Sequence, residues 1–383
     1  MNDATNLAAN AADARAEALV ASYERAGYRR IAPTILQPAE PFLDLSGEDI
    51  RKRMYLTTDP AGRELCLRPD LTIPVSCAYL TGPVTGKPAA FCYLGPVFRH
   101  RDDGAAEFLQ AGIESFGRAD AAAADAEMLA LGLEATAHYG VAAPDIRMGD
   151  VGLFAALVAA LDLAPAWKRR LVKDFNRKSN LAHDLDRLTL HSGNHRSEYQ
   201  GVLAALAGSD PKGAHALVTD LLSIAGISTV GGRSVDEIAD RFLEQAALGV
   251  RTSLPGETRA LIERFLAIGG DPDEATVQLR ALAAEAKLAL DGALDLFESR
   301  TGFLAARGIA VDRIKFSTAF GRGLDYYTGF VFELHDPQGR SDGQLVAGGR
   351  YDGLLGRLGA PASIPAVGFA VWIERLAAGG PVS

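Results

Sequence analysis

The stretch GRGLDYYTGFVFE, Gly321 to Glu333, sets an arginine suited to burial, two adjacent tyrosines and a strand pattern within one short unit. A guanidinium and two phenols beside a strand can line the wall of a pocket that grips a small polar ligand. Period-two alternation places Tyr327, Gly329, Val331 and Glu333 on one strand face and Tyr326, Thr328, Phe330 and Phe332 on the other. Gly323 and Gly329 leave room for backbone or ligand to come close. An ordinary antiparallel core strand behind a turn accounts for the same segment, and the segment alone does not choose between the two.

The remaining reactive side chains point away from metal and disulfide chemistry. Cys66, Cys77 and Cys92 are odd in number and lack paired metal spacing, so they read as reduced thiols packed in a core. His191 and His195 are four apart, but the intervening Gly193 makes a surface turn the simpler reading. With 39 Lys plus Arg against 48 Asp plus Glu, the net charge of -9 is a poor footprint for gripping a polyanion. Local basic patches such as WKRRLVKDFNRK, Trp167 to Lys178, still offer a contact for RNA, but a solvated helix face is the simpler reading. No apolar run reaches the ~18 residues of a membrane span. The N-terminus lacks the order of a secretory signal, and a soluble cytoplasmic chain is expected.

The elements that must position the pocket follow from patterning. Asp13 to Ala26 is helical, with Ala16, Leu19, Val20 and Tyr23 on one face and Gly27 as its stop. Tyr55 to Thr58 and Glu64 to Arg68 flank DPAG as a hairpin. Cys92 to His100 and Glu107 to Phe116 form the next strand pair, Ala121 to His138 a helix, and Ile146 to Met148 a short core strand. Leu153 to Phe303 is almost wholly helical, with Ser234 and Glu237 as a capping box, and strand sequence returns at Arg313 to Ser317. These features predict an α+β fold whose strand-bearing core is interrupted by an inserted helical domain.

Five ordered segments carry a family resemblance. GRGLDYYTGFVFE and GGRYDGLLGRLG (from Gly348) resemble the two histidine-specific signatures of histidyl-tRNA synthetases, and GFAVWIERL (from Gly368) resembles motif 3 of the class II synthetases. LRPDLTIPVSCAYL, Leu67 to Leu80, resembles their amino-acid-binding segment, and YLGPVFRHRDDGAAEFLQAGIESFG, Tyr93 to Gly117, their motif 2. Pro33 falls where motif 1 places its proline. The resemblance covers roughly 1 to 163 and 297 to 376, and it implies a core from 1 to 163 and from 297 to 383 around a helical insertion from 164 to 296, with an antiparallel sheet flanked by helices and a pocket for a free amino acid. In that pocket Asp70 and Thr72 accept from the ammonium, Arg322 and Gln110 face the carboxylate with help from Arg99, and Glu114 with Tyr326 and Tyr327 reads an imidazole. Gln110 and Glu114 are four apart, so on a strand they share a face. A charged acceptor suits an imidazole N–H, while Asp70 is a shorter acid than the glutamate of many synthetases.

The ATP half of the pattern departs from the synthetases. Arg101 stands where an adenine-facing glutamate belongs, the motif 2 loop is short, and Ala105 and Ala106 occupy the place of a further arginine. Trp372 fills a position that should be glycine so that adenine can lie against backbone. Arg99 and Arg375 match phosphate-binding arginines and are retained. Seven residues follow Leu376, so no anticodon-binding domain is expected. A kept histidine pocket with an altered ATP site is similar to the regulatory subunits of ATP phosphoribosyltransferase in histidine biosynthesis. That resemblance implies a non-catalytic chain with no metal or cofactor that binds L-histidine, forms a homodimer through the region of Pro33 and Ile35, and partners a short-form catalytic subunit. The Gly343 to Gly356 stretch is a candidate for closing over the ligand. The rival expectations are a truncated paralogue that still adenylates an amino acid, and a sensor of histidine or uncharged tRNA.

Overall fold

The computed structural model describes residues 2–102, 105–189, 210–225, 235, 238–239, 243, 256–341 and 343–379. The first half runs α1 (Asn2–Arg25), β1 (Arg29–Arg30), β2 (Leu36–Pro38), α2 (Glu40–Leu45), α3 (Glu48–Arg51), β3 (Tyr55–Thr58), β4 (Glu64–Leu67), α4 (Thr72–Thr81), β5 (Ala89–Phe98), β6 (Glu107–Phe116) and α5 (Ala121–His138). Then come β7 (Asp145–Asp150), α6 (Val151–Ala160), α7 (Pro165–Asp174), α8 (Lys178–Thr189), α9 (Pro211–Ile224) and α10 (Gly256–Leu266). The last part holds β8 (Gly269–Gly270), α11 (Pro272–Ala286), α12 (Asp291–Ala306), β9 (Ile314–Ser317), β10 (Phe330–His335), β11 (Gln344–Arg350), α13 (Leu354–Arg357), β12 (Ala366–Trp372) and α14 (Ile373–Gly379).

A nine-stranded sheet in the order β1-β5-β6-β12-β11-β10-β7-β9-β8 forms the centre, antiparallel except for the β1–β5 and β7–β9 pairs. A three-stranded sheet, β2-β4-β3, lies apart from it in hydrogen bonding. The chain divides into two compact units, Met1–Ala156 with Arg264–Ser383, and Leu157–Glu263.

The register of the large sheet prepares a hollow. Glu333 on β10 stands opposite Ala347 on β11, Ala347 opposite Ala370 on β12, Ala370 opposite Gly112 on β6, and Gly112 opposite Tyr93 on β5. Residues directly opposite in antiparallel strands share a face, so three small residues lie in a row with polar side chains at either end. Small side chains there leave space above the strands. The other face is filled by helices: Leu19, Val20 and Tyr23 of α1 are buried, and Tyr23 meets Phe369 of β12 edge to face at 6.0 Å.

Helix α12 is tied to the sheet unit by charge as well as packing. Buried Arg300 donates to Asp125 of α5 at 2.9 Å and to Asp150 of β7 at 2.7 Å, and Arg350 of β11 also donates to Asp125 at 2.9 Å. The expected insertion of 164 to 296 therefore differs from the second unit, which ends at Glu263. Its last helices, α11 and α12, bury Leu279, Leu282, Leu294 and Phe297 in the sheet-bearing unit. In the second unit, Trp167 is buried, and Arg170 pairs with Asp174 at 2.7 Å and Asp184 at 2.8 Å. Arg177 also pairs with Asp174 at 3.1 Å, so two of the run's three arginines are engaged internally, while Arg169 and Lys173 are exposed. His191, His195, Ser234 and Glu237 lie outside the described residues.

Most local expectations match. Gly27 takes a φ of +96° just after α1, a conformation that glycine reaches without a side-chain clash. The alternation expected from Tyr326 onward does not hold. The strand begins only at Phe330, and the irregular backbone before it turns Tyr326 and Tyr327 the same way, with rings 4.9 Å apart.

Candidate functional site

Above the hollow lies a cavity of about 150 Å³ lined by Asp70, Thr72, Arg99, Gln110, Arg322, Tyr326 and Tyr327 among others. Seven of the eight side chains expected from sequence meet here, although they come from four separate segments. The eighth, Glu114, is wholly buried directly behind the wall.

Asp70 precedes α4 and caps it: one carboxylate oxygen accepts from the Ile73 amide at 3.1 Å. Its other oxygen is buried, and no donor among the described residues meets it. Burial pushes this carboxyl up, against the pull of the nearby Arg99 guanidinium. On β6, the side-chain oxygen of buried Gln110 is likewise a buried acceptor that no donor among the described residues meets. Two such acceptors beside one cavity are costly unless a donor reaches them, at ~1–3 kcal/mol each.

Glu114 is enclosed by hydroxyls. Thr72 donates to its Oε1 at 2.8 Å, Tyr93 to the same oxygen at 3.2 Å, and Tyr351 donates to Oε2. Burial pushes its carboxyl up to about 8, with the three hydroxyl bonds pulling the other way and Asp70 adding to the rise. Expected as a direct reader of an imidazole, Glu114 instead reaches the cavity through Thr72 and Tyr351, which both line it. Closeness to Gly368 explains this recess, because the strand opposite offers no side chain to hold the carboxylate forward.

Arg322 donates to Tyr327 at 2.5 Å and to Glu333 at 3.2 Å, and Glu333 is in turn bonded to His335 at 3.0 Å. Arg99 donates to the Pro69 carbonyl at 2.7 Å. Tyr326, Tyr327 and Tyr351 cluster, the last lying 5.8 and 6.5 Å from the other two. Sequence reasoning missed Tyr351, Tyr93 and Glu333 as members of the site. Tyr351 had a signal, since it sits inside GGRYDGLLGRLG, whereas Tyr93 becomes visible only through the register of β5 and β6. Among the described residues no cluster of His, Cys, Asp and Glu could hold a metal ion. The arrangement suits a small ligand carrying both N–H donors and an anionic group.

Comparison with known proteins now bears on the arrangement. The sequence model of the histidyl-tRNA synthetase family matches residues 1–230 and 212–376. The chain is 43% identical over 354 residues to an ATP phosphoribosyltransferase regulatory subunit from Agrobacterium fabrum, covering 91% of this chain and 92% of that one. It is also 43% identical over 346 residues to one from Brucella canis, covering 90% and 91%. The chain belongs to the ATP phosphoribosyltransferase regulatory subunit family, which is built on the histidyl-tRNA synthetase fold.

Solved structures support the fold. A Bacillus halodurans protein described as an ATP phosphoribosyltransferase regulatory subunit/histidyl-tRNA synthetase superposes with a TM-score of 0.68 at 20% identity, covering 98% of this chain and 80% of that one. A histidyl-tRNA synthetase from Nostoc gives 0.62 at 19% identity, covering 96% and 70%. Against that synthetase-like frame, Trp372 is buried and lines the cavity opposite Gln110. Arg375 lies over the Trp372 ring at 5.5 Å and donates to the Gln344 carbonyl at 2.9 Å. Arg101, in the place of the motif 2 glutamate, lies over Phe108 at 4.0 Å. No helix among the described residues is long and apolar enough to cross a membrane.

Proposed function

We propose that this cavity binds L-histidine and that the chain, itself non-catalytic, is the subunit through which histidine inhibits a short-form catalytic ATP phosphoribosyltransferase, the glycosyltransferase that opens L-histidine biosynthesis. Membership of the regulatory subunit family supports the partnership. The observation that carries the ligand is the pair of buried acceptors, Asp70 Oδ2 and Gln110 Oε1, beside the guanidiniums of Arg99 and Arg322. The ammonium meets Asp70 and Thr72, and also Gln110, whose unpartnered acceptor oxygen suits an N–H better than the carboxylate expected from sequence; the carboxylate meets Arg322 and Arg99; the imidazole lies among Tyr326, Tyr327 and Tyr351, with Glu114 behind them. Inhibition then follows from linkage: histidine binds one arrangement of the complex better than another, and ~1–3 kcal/mol of difference shifts activity strongly. A homodimer through the Pro33 and Ile35 region leaves other surfaces for the catalytic subunit.

Co-purification with a short-form catalytic subunit, followed by phosphoribosyl-transfer assays with and without histidine, tests this reading. Failure to associate overturns it. The adenylating alternative is disfavoured by Trp372, whose indole lines the space where an adenine would need bare backbone. Histidine-dependent pyrophosphate exchange by the pure chain should stay at background, and clear turnover would favour the adenylating enzyme.

A further inference from the structure

Glu114 is a buried acid whose direct partners are all neutral. Thr72 from α4, Tyr93 from β5 and Tyr351 after β11 bond to its two oxygens, and Oε2 occupies the space that a side chain at Gly368 of β12 would need. Asp70, Tyr326 and Tyr327 also act on it through space. Of these neighbours only Asp70 is a carboxyl, and none is a cation. The arginines of the cavity are occupied elsewhere, Arg322 with Glu333 and Tyr327, and Arg99 with the Pro69 carbonyl and the field of Asp70.

We propose that Glu114 is a proton gate for this cavity: it carries a proton while the cavity is empty and releases it to solvent when a ligand rich in N–H donors enters. This deepens the amino-acid reading above and rests on it. A protonated Glu114 must donate its own hydrogen to one neighbouring hydroxyl, so that hydroxyl's hydrogen is free to turn elsewhere. An ionised Glu114 accepts from all three. Thr72 and Tyr351 then have their hydrogens committed behind the wall and present only lone pairs to the cavity they line. An ammonium or an imidazole N–H matches that arrangement and brings the positive charge that Asp70 and Glu114 together lack. The step balances simply: the carboxyl O–H bond breaks, its electron pair stays on oxygen, and a buffer base takes the proton. The upward push of burial on this carboxyl, to about 8, is consistent with a proton held at neutral pH.

The sign of the linkage follows. The ionised form is the one that binds, so affinity is half of its full value near pH 8, approaches the full value above it and falls as the pH drops below it. Calorimetric titration of L-histidine at pH 7, in buffers of different ionisation enthalpy, should show wild type releasing about 0.9 proton more than Glu114→Gln, and wild-type affinity should rise about 5-fold from pH 7 to pH 8 with no such rise in the variant. Equal proton counts, or a flat wild-type affinity, overturn the gate. A second measurement needs neither variant nor ligand: carboxyl ¹³C titration of the empty protein labelled only at glutamate should show one signal with a midpoint near pH 8. If every glutamate titrates below about pH 6, the gate is refuted whatever the ligand. If the high midpoint is present but histidine gives no binding heat, the histidine reading falls and the coupling with it.

Discussion

Gly368→Ala tests the geometry on which the site depends. A methyl group at 368 would stand 1.9 Å from Glu114 Oε2 and 2.5 Å from the Ile113 carbonyl oxygen, both on the adjacent strand β6. The first clash can be eased by rotating a side chain, but the second is with backbone. Relief requires β6 and β12 to separate around the Gly368–Glu114 pair, where their hydrogen bonding runs unbroken from Phe116 to Gln110. Overpacking of this kind costs ~1–3 kcal/mol, and at ~2–4 °C per kcal/mol for a large domain the melting temperature should fall by about 2–12 °C. Binding should suffer as well as stability. Moving Glu114 disturbs the Thr72 and Tyr351 hydroxyls through which it reaches the cavity, and a loss of up to the ~1.5–3 kcal/mol expected for removing Glu114 predicts a roughly 10- to 100-fold weaker affinity for histidine. Thermal melting and calorimetry on the same preparations measure both. Gly356→Ala is the control, because a methyl there meets nothing within 4 Å. Adding Glu114→Ala to Gly368→Ala should restore only part of the stability, since the Ile113 carbonyl remains in the way. A Gly368→Ala protein with wild-type melting and wild-type histidine affinity would refute the strand spacing and the placement of Glu114 together.

Three further outcomes are expected. Glu114→Ala alone should weaken histidine binding by roughly 1.5–3 kcal/mol by calorimetry, and unchanged affinity would place the ligand elsewhere. Arg322→Ala removes the proposed carboxylate partner and leaves Glu333 with His335; the mixed complex should assemble with normal composition yet resist histidine in a phosphoribosyl-transfer assay. Arg300→Met should lower stability by about 3 kcal/mol in denaturant titration, the low end for a broken buried ion pair, because Asp125 keeps Arg350 and Asp150 keeps the Gly152 amide. Loss of less than about 1 kcal/mol there would mean that the buried network does not hold α12 in place.

Much of this protein was legible in one dimension because its patterns are local. The buried face of α1, the hairpin around DPAG, strand β6 from Glu107 and helix α5 from Ala121 each follow from periodicity and turn chemistry within a few residues. Asp70, Thr72, Gln110 and Arg322 could be named because ordered motifs carry side-chain identity along the chain. Three things required the folded chain. The extent of the inserted unit depends on α11 and α12 returning to the sheet, held there by Arg300 against Asp125 and Asp150, residues more than a hundred positions away. The shared direction of Tyr326 and Tyr327 depends on an irregular backbone that period-two counting cannot foresee. The setting of Glu114 depends on Tyr93, Tyr351 and Gly368, brought from three other strands or their ends by register alone. A motif records which group is present, but only the packing of distant segments decides how far that group is removed from water, and therefore what charge it carries.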